Sequence, residues 1–139
     1  MPSGAVIEYA NQDDLPFLER NDRHVPASAL SDKIARHEVL VVRRDGAVVG
    51  WLRFGLFWDT IPFMNMLFLL QPYRGQGIGR QLVAFWEGEM KRLGHRHVLT
   101  STQADESAQH FYRKLGYVDV GGFMPPGEPL ELILYKSIA

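Results

Sequence analysis

The stretch LLQPYRGQGIGRQL, Leu69 to Leu82, decides how this chain is read. An apolar run ends at Pro72, glycines follow at Gly75, Gly77 and Gly79, and a helical pattern begins at once. Glycine inside an element costs about 0.5–1 kcal/mol relative to alanine, so three together mark a place where the backbone itself must approach something. Unpaired N–H groups converge at a helix N-terminus, where the dipole adds roughly half a positive charge. The expected visitor is a phosphate.

Working outward from the loop, Ile78, Leu82, Phe85, Trp86, Met90 and Leu93 recur at helical spacing and predict a helix from Gly77 to Leu93, stopped by Gly94. Upstream, Ile61 to Leu70 reads as a strand covered on both faces; with Pro62 and Asn65 inside it, it is too short to cross a bilayer as a helix. Before it, HEVLVVRR and AVVGWLRFGLF flank Asp45-Gly46, the signal for an antiparallel hairpin. The N-terminal third predicts a strand at Ala5 to Tyr9 and a helix from Asp13 to Glu19. A second helix after Pro26 places Ala27, Leu30 and Ile34 on one face and Lys33, Arg36 and His37 in its last turn. Downstream, Val98 to Ser101 is a strand, and Ala108, Phe111, Tyr112 and Leu115 mark a helix closed by Gly116. Tyr117 to Val120 and Leu130 to Lys136 complete the sheet. Strand, loop, helix, strand from Ile61 to Ser101 is a βαβ unit, so the strands flanking the long helix run parallel.

A chain of 139 residues, 46% hydrophobic and 12% aromatic, has apolar material for one core, and prolines and glycines are spread as turn punctuation. A single domain over residues 1–139 is expected. A net charge of -1 provides no overall field for nucleic acid or an anionic membrane. Zero cysteines exclude disulfides, thiolate metal sites and a cysteine nucleophile. The opening MPSGAVIEYA has neither a basic n-region nor a long apolar h-region, and a cytoplasmic protein is expected. His95 and His97 alternate as metal ligands on a strand can, but H-E-x-x-H is missing and a solvated strand entrance is the expected reading; no metal is assigned. The G-x-S-x-G elbow of serine hydrolases is also missing.

Several families use glycine loops on phosphates. A P-loop needs Lys-Ser or Lys-Thr after its last glycine, where this chain has Arg80-Gln81. A dinucleotide fingerprint needs its third glycine at Arg80 and an acid about twenty residues on. Both readings fail. What remains is Arg74-x-x-Gly77-x-Gly79 after an apolar strand, followed by AQHFYRKLGY. These two motifs resemble those of the GCN5-related N-acetyltransferase (GNAT) superfamily, specifically so from Phe63 to Tyr117.

The resemblance implies an α/β fold: one GNAT-like domain with a mixed, twisted sheet flanked by helices on both faces, opening between the strands ending near Leu70 and Ser101 to admit acetyl-CoA. It implies that Arg74, Gly75, Gln76, Gly77, Gly79 and Arg80 line the pyrophosphate, and that backbone groups of Leu69 and Leu70 pair with the pantetheine arm. Tyr112 takes the position of the tyrosine that acts in the family as general acid to the departing thiolate, and an unperturbed phenol, with a pKa near 10, is protonated at neutral pH and can donate. The same tyrosine also satisfies a core stripe. Asparagine often stands seven residues before that tyrosine in the family; here Asp105 does, which puts that cofactor contact in question.

Amide formation from a thioester needs a neutral amine, a polarised carbonyl and a proton for the thiolate. Many relatives place a glutamate on the strand before the loop, whereas this strand offers only Asn65. Water-relayed deprotonation, or help from Glu128, Glu131, Asp59 or His24, stays open. Trp51, Phe54, Phe57 and Trp58 are a concentration of aromatics expected mostly in the core, with Phe57 and Trp58 candidates to line a pocket.

The reading is acetyl transfer from acetyl-CoA to an amine by direct attack in a ternary complex. The partner is a small-molecule or peptide amine, with no nucleic acid and no membrane, and a homodimer stays open because small domains of this type often pair through a sheet edge or helix. The alternatives are a non-catalytic acyl-CoA sensor and an interaction domain that kept the fold and lost the cofactor.

Overall fold

A computed structural model of the chain describes residues 4–139. In chain order its elements are β1 (Ala5–Tyr9), α1 (Leu15–Asn21), α2 (Ala27–Ala35), β2 (Val39–Arg44), β3 (Ala47–Phe57), β4 (Ile61–Leu69), α3 (Ile78–Arg92), β5 (His97–Gln103), α4 (Ala108–Lys114), β6 (Val118–Phe123) and β7 (Glu131–Ser137). Short 3-10 turns occupy Gln12–Asp14 and Gln71–Tyr73. The strands hydrogen-bond in the order β1-β2-β3-β4-β5-β7-β6. Two compact units divide the chain, with the boundaries falling inside β3, β4 and α3: one holds the chain up to Phe54 together with Met66–Trp86, the other Gly55–Asn65 and Glu87–Ala139.

In the first unit, β1 pairs antiparallel with β2, and β2 with β3. The turn between β2 and β3 forms as Asp45-Gly46 predicts, both residues taking positive φ, at 53° and 82°. Val39, Val41 and Trp51 pack with Leu18 of α1 and Leu30 and Ile34 of α2. Leu40, Val42, Leu52 and Phe54, of opposite parity on the same strands, are also buried, and Phe54 meets Trp86 of α3 with ring centroids 5.8 Å apart. Helices therefore cover both faces of β2 and β3. Beside this core lies a buried ion pair, with Arg53 Nε donating to Asp22 Oδ2 at 2.7 Å and the second guanidinium nitrogen to Oδ1 at 3.2 Å.

Several expectations change. The helix from Asp13 becomes a 3-10 turn followed by α1, because Asn11 and Asp14 form a capping box around the turn and Pro16 restarts the chain as a fresh N-terminus. Ala27 is exposed, and α2 stops at Ala35, leaving His37 past the end in left-handed conformation at φ 58°. Strand β4 is not covered on both faces: Pro62 and Met64 are buried, but Asn65 and Phe68 are exposed. The doubly covered strands are β2 and β3. On α3 the buried stripe is Ile78, Leu82, Val83, Trp86 and Met90, whereas Phe85 lies at its margin and Leu93 follows the last helical residue, both exposed.

In the second unit, β4 and β5 run parallel, as the βαβ reading requires, with register pairs Phe63–Leu99 and Met64–Thr100. Strand β7 pairs antiparallel along the length of β5 and carries β6 on its other side, where the register shifts between Asp119 and Gly121. Glu87 of α3 ties this unit together: its carboxylate accepts from Tyr117 Oη and from Lys136 Nζ, each at 2.8 Å. No helix of the described residues is long and apolar enough to cross a membrane.

Candidate active site

The glycine loop is built within the first unit. Gly75 and Gly77 take φ of 76° and 83°, conformations L side chains rarely adopt, and a Cβ placed on either meets no atom within 4 Å. The glycines are needed for backbone direction rather than for room within the protein. Among the described residues, the amides from Gly75 to Arg80 donate to no backbone carbonyl, and the first engaged is that of Gln81, to Gly77 O at 3.1 Å. A run of unpaired N–H groups thus opens the fifteen-residue helix α3, with the positive end of its dipole. Arg74 Nε donates to Leu69 O at 2.8 Å with its guanidinium 4.9 Å above the Phe68 ring, and Gln76 Nε2 donates to Pro72 O at 3.1 Å. Arg80 is exposed beside the loop. Leu70 has both backbone groups engaged, its N–H with Val49 O at 2.8 Å and its carbonyl with Tyr73 N at 3.0 Å. A Cβ on Gly50 would collide with Leu69 and stand 2.8 Å from Phe68 O, so glycine there lets β3 press against the strand end that launches the loop.

The second unit carries the phenol. Tyr112 of α4 is buried against Phe111 and Tyr117. Burial pushes it up to about 12; the Thr100 hydroxyl beside it works against this and the Glu106 carboxylate adds to it. Thr100 Oγ1 donates its own proton to Met64 O at 3.1 Å. Burial raises Tyr117 as well, helped by Glu87, but its proton is committed to that carboxylate. Of these two phenols, Tyr112 is the one that makes no hydrogen bond to a carboxylate among the described residues. Asp105 lies exposed in the turn before α4.

The same unit contains a pocket of about 590 Å3 walled by Phe57, Phe63, Phe123 and Ile133, with Asn65 and Ser101 as its polar side chains. Of the acceptor candidates, Asn65 lines the pocket, while Trp58 and Asp59 form the hairpin tip that follows Phe57. Glu131 lies two residues before Ile133 on β7 and shares its face. Glu128 is exposed, its Oε1 accepting from Gln103 Nε2 at 3.1 Å. His24 belongs to the first unit, exposed between α1 and α2. His97 Nδ1 lies 2.6 Å from the Tyr135 hydroxyl. Sequence reading missed Ser101, Phe123 and Ile133 as pocket walls and Thr100 beside the phenol; the available signal was the two-residue period of a strand, which in β5 hides Val98, Thr100 and Thr102 on one face and turns Ser101 to the other.

A mixed sheet with helices on both faces, a parallel β4–α3–β5 unit and a loop of free amides at the head of α3 define the class of fold, and comparison with known proteins agrees. The model of the acetyltransferase (GNAT) family matches residues 6–117. The chain belongs to that family. Among solved structures, Ard1 from Thermoplasma volcanium superposes with a TM-score of 0.86 over 98% of this chain and 99% of its own, at 15% identity. Arabidopsis thaliana Naa50, in complex with the bisubstrate analogue CoA-Ac-MVNAL, superposes with a TM-score of 0.77 over 96% of this chain and 99% of its own, at 19% identity. N-alpha-acetyltransferase 30 from Schizosaccharomyces pombe is 36% identical over 56 residues, 40% of this chain, and the chain spans 37% of that relative's length.

Proposed function

We propose that this chain, acting as a single domain, is an N-acetyltransferase that moves acetyl from acetyl-CoA to an amine. The observation that carries the reading is the row of unpaired amides from Gly75 to Arg80 behind two left-handed glycines, an arrangement that fits a diphosphate and leaves room for it. Family membership and the CoA analogue bound by the Arabidopsis relative support it. Acetyl-CoA supplies an activated acetyl thioester and a thiolate leaving group.

The chain's own residues divide the work. The amides of Gly75, Gln76, Gly77, Ile78, Gly79 and Arg80 hold the pyrophosphate, Arg74 and Arg80 add positive charge, and the Leu69 and Leu70 backbone flanks the pantetheine arm. Tyr112 donates a hydrogen bond to the departing sulfur. With its phenol at about 12, complete proton transfer to a thiolate whose acid has a pKa of about 8.5 runs uphill by roughly 5 kcal/mol. Tyr112 would therefore stabilise the developing charge through a hydrogen bond and keep its proton, in place of the general-acid role the sequence suggests, and solvent would supply the proton that the leaving group needs. The amine must lose a proton before attack; Asn65 and Ser101 orient it, and the carboxylate of Glu131, on the face of Ile133, receives the proton through water.

A cytoplasmic workplace belongs to the same proposal. The deciding experiment follows free thiol release from acetyl-CoA in the presence of primary amines. Release that depends on amine, and falls in Glu131→Gln, supports the reading; bound acetyl-CoA that is never consumed by any amine makes the chain a sensor instead.

A further inference from the structure

The tip between β3 and β4 is built against local preference. Trp58 and Asp59 both take left-handed backbone, φ 56° and 61°, in a turn closed by Thr60 N donating to Phe57 O at 3.1 Å. Asparagine and glycine are the usual residues in such a turn, and strain of this kind gathers at ligand clamps. What it achieves here is the placement of an indole that is 77% exposed. Trp58 stands 4.9 Å from Phe57, and Phe57 6.2 Å from Phe63, centroid to centroid. The rings form a path from solvent to the pocket wall that Phe123 and Ile133 complete.

The two ends of this site differ in chemistry. None of the residues lining the pocket carries a charge. On the β7 face that contributes Ile133 stands Glu131, and Glu128 is tethered nearby in sequence through Gln103. An apolar wall beside a carboxylate end complements one kind of molecule: an apolar body with a single ammonium.

We infer that the acceptor is a primary amine bearing one flat apolar group, with no carboxylate and no second cation, and that Trp58 closes over that group. The inference rests on the acetyl-transfer reading above. The apolar group lies on Phe57, Phe63, Phe123 and Ile133, and the ammonium faces Glu131. A zwitterionic amino acid would bring its carboxylate beside the two glutamates. A polyamine, whose cations are spread along its length, would lay charge along the apolar wall, where no lining residue carries a compensating charge and desolvation is costly.

Four probes test this: 2-phenylethylamine and L-phenylalaninamide carry the inferred chemistry, L-phenylalanine adds a carboxylate, and spermidine adds cations. Binding is read without cofactor by acrylamide quenching, because Trp51 and Trp86 are buried and Trp58 is not. The expected result is that the first two probes shield Trp58 and the last two do not. Phe123→Ser, at a half-exposed position on the edge strand, weakens that shielding about tenfold. With acetyl-CoA present, kcat/KM for the better of the first two exceeds that for L-phenylalanine and spermidine by about 100-fold. Higher kcat/KM for L-phenylalaninamide assigns the site to the first residue of a peptide, and the reverse to a free amine. Equal shielding by spermidine or L-phenylalanine, no shielding by any probe, or an unchanged Phe123→Ser overturns the inference. Failure of acetyl-CoA to bind overturns the transferase reading instead, while the quenching result still decides the pocket.

Discussion

Arg74 Nε donates to the backbone carbonyl of Leu69 at 2.8 Å, so the first residue of the loop motif is tied to the last residue of β4. With its guanidinium over Phe68, the side chain braces the strand end against the turn that follows. Its anchoring contact is one N–H donor, which another residue can supply. Arg74→Ala is expected to raise the acetyl-CoA dissociation constant about tenfold, the value of one charge-assisted hydrogen bond. Arg74→Gln, which keeps an N–H donor within reach of Leu69 but carries no charge, should recover only the part of that loss that comes from the tie to Leu69, read by calorimetry.

Tyr112→Phe should lower kcat by about 10²-fold while leaving acetyl-CoA affinity within a factor of two, since it removes one hydrogen bond to developing charge. Because the folded phenol ionises near 12, wild-type kcat/KM should show no loss between pH 9 and pH 10.5 from this group, whereas a phenol at its ordinary value would show one. Full activity of the Phe variant removes Tyr112 from the mechanism.

The Asp22–Arg53 pair is buried on both sides, with side chains 0% and 7% exposed. Removing one partner leaves a buried charge without compensation, and Asp22→Ala is expected to cost about 3–5 kcal/mol in urea unfolding. Replacing both by apolar residues of similar volume should restore much of that loss.

Asp14 links stability to acid pH. Burial alone would raise its carboxyl, but hydrogen bonds from Arg43 and from the Asn11 backbone hold it below the usual 3.8. A depressed folded value means that the unfolded chain binds the proton more tightly, so this contribution is complete above about pH 4 and fades as pH falls through the lowered value. Asp14→Asn should lower stability at pH 7 and flatten its decline as pH falls below about 4, measured by thermal unfolding at each pH.

Much of the fold was legible because local rules and tertiary packing agree. Asp45-Gly46 demands a two-residue hairpin and forms one. Gly94 and Gly116 stop their helices in left-handed conformation, at φ 96° and 98°. Strand β4 departs from expectation because an apolar sequence does not by itself require cover on both faces. Part of that apolar surface walls a pocket at Phe63, and part carries the stacked Trp51 and Arg74 at Phe68. The loop was visible because its requirement is backbone conformation, which only glycine meets cheaply. The acceptor pocket was not, because its walls come from strands distant in sequence, and strand alternation shows that Ser101 and Ile133 are outward residues without showing that they meet.

The most direct test of the account is isothermal titration of acetyl-CoA into the wild-type protein and into Gly77→Val, with dephospho-CoA and ATP as controls. Gly77 sits at φ 83°, and a Cβ there would meet no atom within 4 Å, so a β-branched residue disturbs the amide row through backbone strain rather than through contact at its Cβ. The expected result is saturable binding by the wild type and a dissociation constant raised at least about tenfold in the variant. No wild-type binding at millimolar cofactor, or equal binding by both proteins, would contradict it.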